Sequence, residues 1–454
     1  MDSPSYNNHI AGHLVCGVAG IFAYNLIHSR TRKRGEINAR FDESFDPFDR
    51  EPREMERTKG NGWMNPRQDD SVGRSQDAPV GGYQDSLLPP AKSTRRQRSE
   101  AAAKHHVSDP SNERTWSKSD DKRCVTLLYT TNRRPMNHSS RGVFTGERAK
   151  NISFGRAVVR VPEAHRLGKV EQPFKLSVLT LTFYEQQHDI NKHFTIAGVE
   201  IFSKNDWCHL VATSGADEAL VFVHGFNNSF DDALYRCAQI VWDLQFSALS
   251  VLFSWPSRGR MADYLYDRES AIGARDSFIE CLSALKAQPN IKKIHILAHS
   301  MGNQVVLESL AHHRHDIQPL GIAELMMAAP DVDSDVYCNI AAKVRSATTG
   351  MTLYASSADK ALALSKKIAG AMARAGDVPI GGPIILPGID SIDVTALGDE
   401  PLGLNHGTFA QSRSVLNDVN VLIRTSGRPP NKRLADIRSV PEGSDPADYW
   451  RYSD

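Results

Sequence analysis

The feature that most restricts this chain is an alternation of short apolar runs with helix-length amphipathic runs across residues 219–355. Residues 219–223 (ALVFV), 249–255 (LSVLFSW), 294–298 (IHILA), 323–328 (AELMMA) and 351–355 (MTLYA) each read as a strand buried on both faces. Between them, 231–244, 269–285 and 304–312 carry apolar residues at helical spacing. This rhythm predicts a mostly parallel sheet covered by helices on both faces. Crossovers in such a sheet are right-handed, which leaves few topologies. Ligands bind at the carboxyl ends of the strands, so chemistry is sought in the turns that leave them. Further strands are predicted at 125–130, 157–161, 176–183 and 392–395, with a turn at 132–135, giving about eight strands in all.

One of those turns carries a reactive pattern. Strand 294–298 runs directly into Ala298-His299-Ser300-Met301-Gly302-Asn303, and a helix follows. A serine in a small-x-Ser-x-Gly turn between strand and helix sits on a tight elbow that lifts its hydroxyl above the sheet. Ala298 and Gly302 are the small residues that such a close backbone approach requires. Ser300 is therefore read as a nucleophile; the plain alternative is a helix-capping serine. Upstream, strand 219–223 ends in His224-Gly225-Phe226-Asn227-Asn228. Acyl transfer passes through an oxyanion, and fixed backbone N–H groups stabilise it by roughly 3 kcal/mol each. Those of Phe226 and Met301 are the expected donors, at the two places this fold supplies them.

A nucleophilic serine needs a base, and the base needs an orienting acid. In the α/β-hydrolase order these come as Ser, then Asp or Glu, then His. His406, in Leu404-Asn405-His406-Gly407 after the last strand, is the expected base. His312, His313 and His315 fall in a polar stretch that reads as solvent-facing. Asp359, after strand 351–355, is the favoured acid, with Asp331, after strand 323–328, as the alternative. His299 and His224 are expected to line or support the pocket, and Trp255 to form a pocket wall. Residues 380–389 (IGGPIILPGI) read as an apolar flap suited to an acyl chain, or as a plain loop packed on the sheet.

The remainder of the chain is organised around this domain, placed at 121–425. Residues 10–27 are apolar apart from His13 and Asn25, and Arg30, Arg32, Lys33 and Arg34 follow. Two readings stand for the segment 1–30: a membrane anchor, or a frayed terminus. An inserted segment would hold the rest in the cytoplasm, because the positive charge follows it; otherwise the chain is read as cytoplasmic. Residues 31–120 are crowded with charged and small polar side chains and read as a disordered linker. Residues 426–454 read as a loose polar tail. A formal net charge of +1 gives no field to draw in nucleic acid, which is not expected as a partner. The cysteines Cys16, Cys124, Cys208, Cys237, Cys281 and Cys338 show no CxxC spacing and read as buried free thiols, not as a disulfide framework or a zinc site. No metal or organic cofactor is expected. The oligomeric state is not legible.

Taken together, VHGFNNSF, FSWPS, LAHSMGN, AAPDVD, LYASSADKAL and LNHGTF, in that order between Arg123 and Arg424, resemble a bacterial α/β-hydrolase family of unknown function. Its members are often labelled "esterase/lipase superfamily enzyme". The resemblance implies the triad at Ser300, Asp359 and His406 and supplies no substrate. The expectation is a serine hydrolase acting on a small-molecule or lipid carboxylic ester through an acyl-enzyme. An amidase, thioesterase or acyltransferase on the same residues, or a non-catalytic membrane-associated scaffold, are the alternatives.

Overall fold

The structure is a computed structural model that describes residues 121–136, 143–173, 175–178, 181–313, 320–359, 362, 365–366, 372–398 and 409–453. The apolar segment 10–27 and the linker 31–120 lie outside the described residues. Among the described residues no helix is long and apolar enough to cross a membrane.

The expected parallel sheet is present, and it is wider than expected. Eleven strands run in the order β12-β13-β11-β10-β9-β8-β6-β7-β1-β2-β5. Here β1 is Cys124–Pro135, β2 Phe144–Arg160, β5 Thr195–Phe202, β6 Glu218–Val223, β7 Leu249–Ser254, β8 Lys293–His299, β9 Ile322–Ala328, β10 Thr348–Ala355, β11 Asp390–Asp393, β12 Ile437–Val440 and β13 Tyr449–Tyr452. The pairings from β1 through β13 are parallel. Antiparallel β2 and β5 extend one edge, and antiparallel β12 extends the other.

The covering helices are α1 (Lys204–Thr213), α2 (Phe230–Asp243), α3 (Tyr264–Gly273), α4 (Arg275–Lys286), α5 (Gly302–His312), α6 (Ser334–Val344) and α7 (Phe409–Thr425). The period-2 geometry of the strands sorts their side chains onto two faces. Val221, Ile294 and Ile296 point into one apolar core with Trp207 of α1, Phe278 of α4 and Val305 of α5. Leu220, Phe222 and Leu297 point into the other with Leu234 of α2 and Val419 of α7. This two-sided burial is why β6 to β9 read as continuous apolar runs. Helix α2 starts in a capping box: the Asp232 N–H donates to Ser229 Oγ at 3.1 Å, and the Ser229 N–H donates to the Asp232 carboxylate at 3.1 Å. Such a cap is worth about 1 kcal/mol.

Four expectations are corrected. The turn at 132–135 continues β1 instead, because β2 is long enough to pair with it as far as Pro135. The strand at 176–183 is a hairpin of β3 (Lys175–Val178) and β4 (Leu181–Glu185), a two-stranded sheet of its own. The helix at 269–285 is two helices, α3 and α4, meeting at Ala274. The tail 426–454 is not loose: β13 pairs with β11 and β12 closes the edge. Arg433 donates to both carboxylate oxygens of buried Asp418 at 2.7 and 2.9 Å, and Arg428 reaches Glu324 and Asp390. A polar composition concealed this segment, in which Ile437 and Tyr452 nevertheless join the core beside these ion pairs.

The segment 380–389 behaves as the plain loop. Ile384 and Leu386 pack on the core, and the Ile384 carbonyl accepts from Ser391 Oγ at 2.6 Å. Arg345 Nε donates to the Gly388 carbonyl at 2.6 Å. The loop thus leads to the amino end of β11, the end of the sheet away from the reactive turns.

Candidate active site

Strands β6 and β8 are neighbours, with Val223 opposite Ala298, so the turns that leave them emerge side by side. Ser300 occupies the turn between β8 and α5 with φ of 50°. A β-carbon residue held there is strained by the order of 1–3 kcal/mol. Strain of this kind persists only where the surroundings enforce it. The Ser300 N–H donates to the Ala328 carbonyl of β9 at 2.9 Å. The buried Asn303 side chain donates from Nδ2 toward the carbonyls of Ala298, Ser300 and Ala328 at 3.2, 3.1 and 3.2 Å. Gly302 closes the elbow: a Cβ there would stand 2.5 Å from the His224 carbonyl oxygen and 2.6 Å from that of Val223.

The turn after β6 lies against this elbow. A Cβ on Gly225 would stand 2.8 Å from His299 Nδ1 and 3.0 Å from Ser300 Cβ. Asn228 Nδ2 donates to the carbonyls of Phe226 and Gly225 at 2.8 and 3.2 Å, folding the turn on itself. The Phe226 ring meets Tyr264 edge to face, with centroids 5.2 Å apart. Phe226, Met301 and Ser300 are therefore brought to one end of the sheet, as their places in the sequence imply.

Behind the turn sits a polar scaffold that the sequence did not reveal. Arg133 of β1 is fully buried. Its Nε donates to Ser254 Oγ at 2.8 Å, and its terminal nitrogens donate to the carbonyls of Ser257 and Asn228 at 2.7 and 2.9 Å. Burial presses its guanidinium below the usual arginine range, to about 9. One Arg133 nitrogen also lies 3.3 Å from His224 Nε2, which accepts because arginine can only donate. His224 Nδ1 then carries the proton and donates to the Gly225 carbonyl at 2.8 Å. Burial, with the neighbouring Arg133 charge, pushes His224 down to about 3, so it stays neutral. His299 is pushed down to about 3 as well, again chiefly by burial. Both histidines support the site, and neither is built to shuttle protons at neutral pH.

Trp255, expected at a pocket wall, is instead fully enclosed. Its ring stacks on His224 with centroids 5.0 Å apart, and its Nε1 donates to the His224 carbonyl at 2.7 Å. It braces the turn from behind. Asp267 joins the same scaffold, accepting from Ser257 Oγ at 2.5 Å and from the Arg258 N–H at 2.9 Å. Nothing in the sequence marked Arg133 or Asp267, because each acts through partners distant along the chain. Asn303 was visible beside the serine, but its role needs the neighbouring strand.

The two candidate acids differ in their surroundings. Asp331 is buried and engaged: Tyr264 Oη donates to it at 3.1 Å, Ser365 Oγ donates to its other oxygen, and Arg374 Nε lies 3.3 Å away. Asp359 stands half-buried just beyond the end of β10, and its Oδ1 accepts from the Leu362 N–H at 2.9 Å. His406 lies outside the described residues, three positions before the start of α7.

Residues 202–425 match the family described as alpha/beta hydrolase of unknown function (DUF900). The chain is similar to the uncharacterized protein alr1448 of Nostoc sp., at 34% identity over 58 residues, or 13% of this chain. The chain thus spans only 15% of the length of that relative. Among solved structures, it is similar to a candidate cell surface hydrolase from Lactobacillus plantarum at 11% identity, covering 47% of this chain and 94% of that one, with a TM-score of 0.28. A fungal esterase structure from Rhizomucor miehei matches at 11% identity over 66% of this chain and 83% of that one, with a TM-score of 0.29.

Proposed function

We propose that this chain, whose residues 202–425 match a family described as alpha/beta hydrolase of unknown function, is a serine hydrolase that cleaves carboxylic esters. The observation that carries the proposal is Ser300, held at a φ of 50° between β8 and α5 with Gly225 packed against its Cβ. A serine on an ordinary helix cap needs no left-handed backbone, so a catalytic demand explains the strain better than capping does.

In this reading His406 takes the Ser300 proton as the hydroxyl attacks the ester carbonyl, and Asp359 fixes the imidazole tautomer. The negative charge that develops on the carbonyl oxygen is held by the N–H groups of Phe226 and Met301. The C–O bond breaks, the alcohol leaves with the proton from His406, and Ser300 carries the acyl group. Water activated by His406 then releases the acid and restores the serine. Asp359 is preferred to Asp331 for its place after β10, with Asp331, which accepts from Tyr264 and Ser365, as the alternative.

Hydrolysis of p-nitrophenyl esters from acetate to palmitate by the full chain tests the reading, with Ser300→Ala as the comparison. Turnover in the wild type that disappears in a folded Ser300→Ala protein is the expected result. Equal turnover in both proteins would refute Ser300 as nucleophile. Fluorophosphonate labelling of Ser300 without ester turnover would shift the substrate to an amide, a thioester or an acyl acceptor. Neither labelling nor turnover would favour the non-catalytic scaffold.

A further inference from the structure

At the end of α5 away from Ser300, two imidazoles and a carboxylate converge. His312 closes α5 and His313 caps it, while Asp276 stands in the first turn of α4 alongside. His313 Nε2 lies 3.1 Å from Asp276 Oδ1. The His312 and His313 rings meet edge to face with centroids 5.0 Å apart. One ligand atom from each of the three residues lies within 4.8 Å of the other two, and among the described residues no other trio of His, Cys, Asp or Glu does so.

An ion held at roughly 2.1 Å by tetrahedrally disposed ligands brings them to about 3.4 Å from one another. The present spacing reaches that with side-chain movements of about an ångström. His312 and Asp276 are exposed and His313 is half-buried, so such movements are open to them and an ion can enter. The carbonyls that end α5 add a negative field favourable to a cation. A lone carboxylate beside two imidazoles suits zinc, nickel or copper; calcium and magnesium want more oxygen ligands. The eleven residues of α5, rising about 1.5 Å each, put His312 roughly 15 Å from the elbow, outside the proposed reaction.

We propose that Asp276, His312 and His313 form a site for a divalent transition-metal ion that clamps α4 to α5. The site is independent of the ester-hydrolase reading. Its test is calorimetric titration of zinc chloride into the full, EDTA-stripped chain and into His312→Ala/His313→Ala, Asp276→Asn and His209→Ala. His209 is an exposed histidine elsewhere, which controls for other zinc-binding imidazoles. Wild type and His209→Ala are expected to bind one more equivalent of zinc than the double variant. Asp276→Asn should weaken that equivalent at least tenfold. Because a ligand of the folded state raises stability by mass action, zinc should also raise the unfolding midpoint of the wild type, and less in the double variant. Equal stoichiometry and affinity in the wild type and the double variant would overturn the site. Should the double variant fail to fold, the exposed Asp276→Asn decides alone, and unchanged affinity there would overturn it equally. Ester turnover, followed in parallel on the same proteins, reports only on the hydrolase reading.

Discussion

Gly302 and His224 touch through backbone: a Cβ on Gly302 would stand 2.5 Å from the His224 carbonyl oxygen. That contact joins the elbow bearing Ser300 to the turn bearing Phe226, so the two parts of the proposed machinery are set by one approach. Neither partner can yield by rotating a side chain, since the obstructing atoms are main-chain. Gly302→Ala should therefore separate the turns, costing about 1–3 kcal/mol of stability as overpacking does. Turnover should fall by more than tenfold. Chemical denaturation and ester kinetics on the same variant check this, and a variant of wild-type stability and rate would refute the tight contact.

Ser300→Gly makes the opposite trade. Glycine adopts positive φ without steric cost, so the strain at 50° is relieved. The variant should be inactive yet more stable, by about 1 kcal/mol, than Ser300→Ala, which keeps the strained Cβ. Paired unfolding curves of the two inactive proteins measure the difference. An equal or lower midpoint for the glycine variant would mean that the elbow is unstrained.

Two histidines set opposite pH limits. His224 is pushed down to about 3, chiefly by burial, so the unfolded chain takes up a proton near 6.5 that the folded one refuses. Its contribution is present above about pH 6.5 and is lost as pH falls toward 3. His165 lies between Glu171 and Asp243, with ring nitrogens 2.9 Å from each carboxylate. Burial alone would lower it, but the bonds to Asp243 and Glu171 prevail and raise it to about 9. Its contribution is complete below about pH 6.5 and is lost as pH rises through about 9. Unfolding midpoints should thus decline at both ends. His165→Gln should be less stable than wild type at pH 7 and lose less between pH 7 and 9.5; a parallel decline in both proteins would rule His165 out as the source.

The C-terminal segment should be indispensable to the domain. Arg433 pairs with Asp418, both side chains being fully buried. Arg428 is the partner of Glu324, whose side chain is 1% exposed. Removing one member of a buried pair costs about 3–5 kcal/mol, because the other charge is left uncompensated. Arg433→Met should show a loss of that size. A chain ending at residue 427 would also expose the edge of β11, and it is expected to aggregate or fail to express. A truncated chain with the wild-type unfolding midpoint would contradict this.

How far the sequence reaches is clearest at particular residues. The strand-helix alternation of 219–355 determined the parallel sheet, because burial on both faces demands continuous apolar runs such as ALVFV and AELMMA. The serine was legible for a related reason: the elbow needs small residues at 298 and 302, and that requirement is local. Requirements carried by partners far along the chain were not legible. Arg133 holds the turn at Asn228 from the far side of β7, and Trp255 proves to be a brace behind His224. The strands beyond residue 436 bury only a few apolar side chains, Ile437, Tyr449 and Tyr452, set among polar ones, too short a pattern to read. The sequence by itself thus decided the central parallel sheet and which serine stands on the turn. Only the tertiary structure decided how that turn is buttressed, because hydrogen bonds and charges are matched across strands whose neighbours the linear order does not reveal.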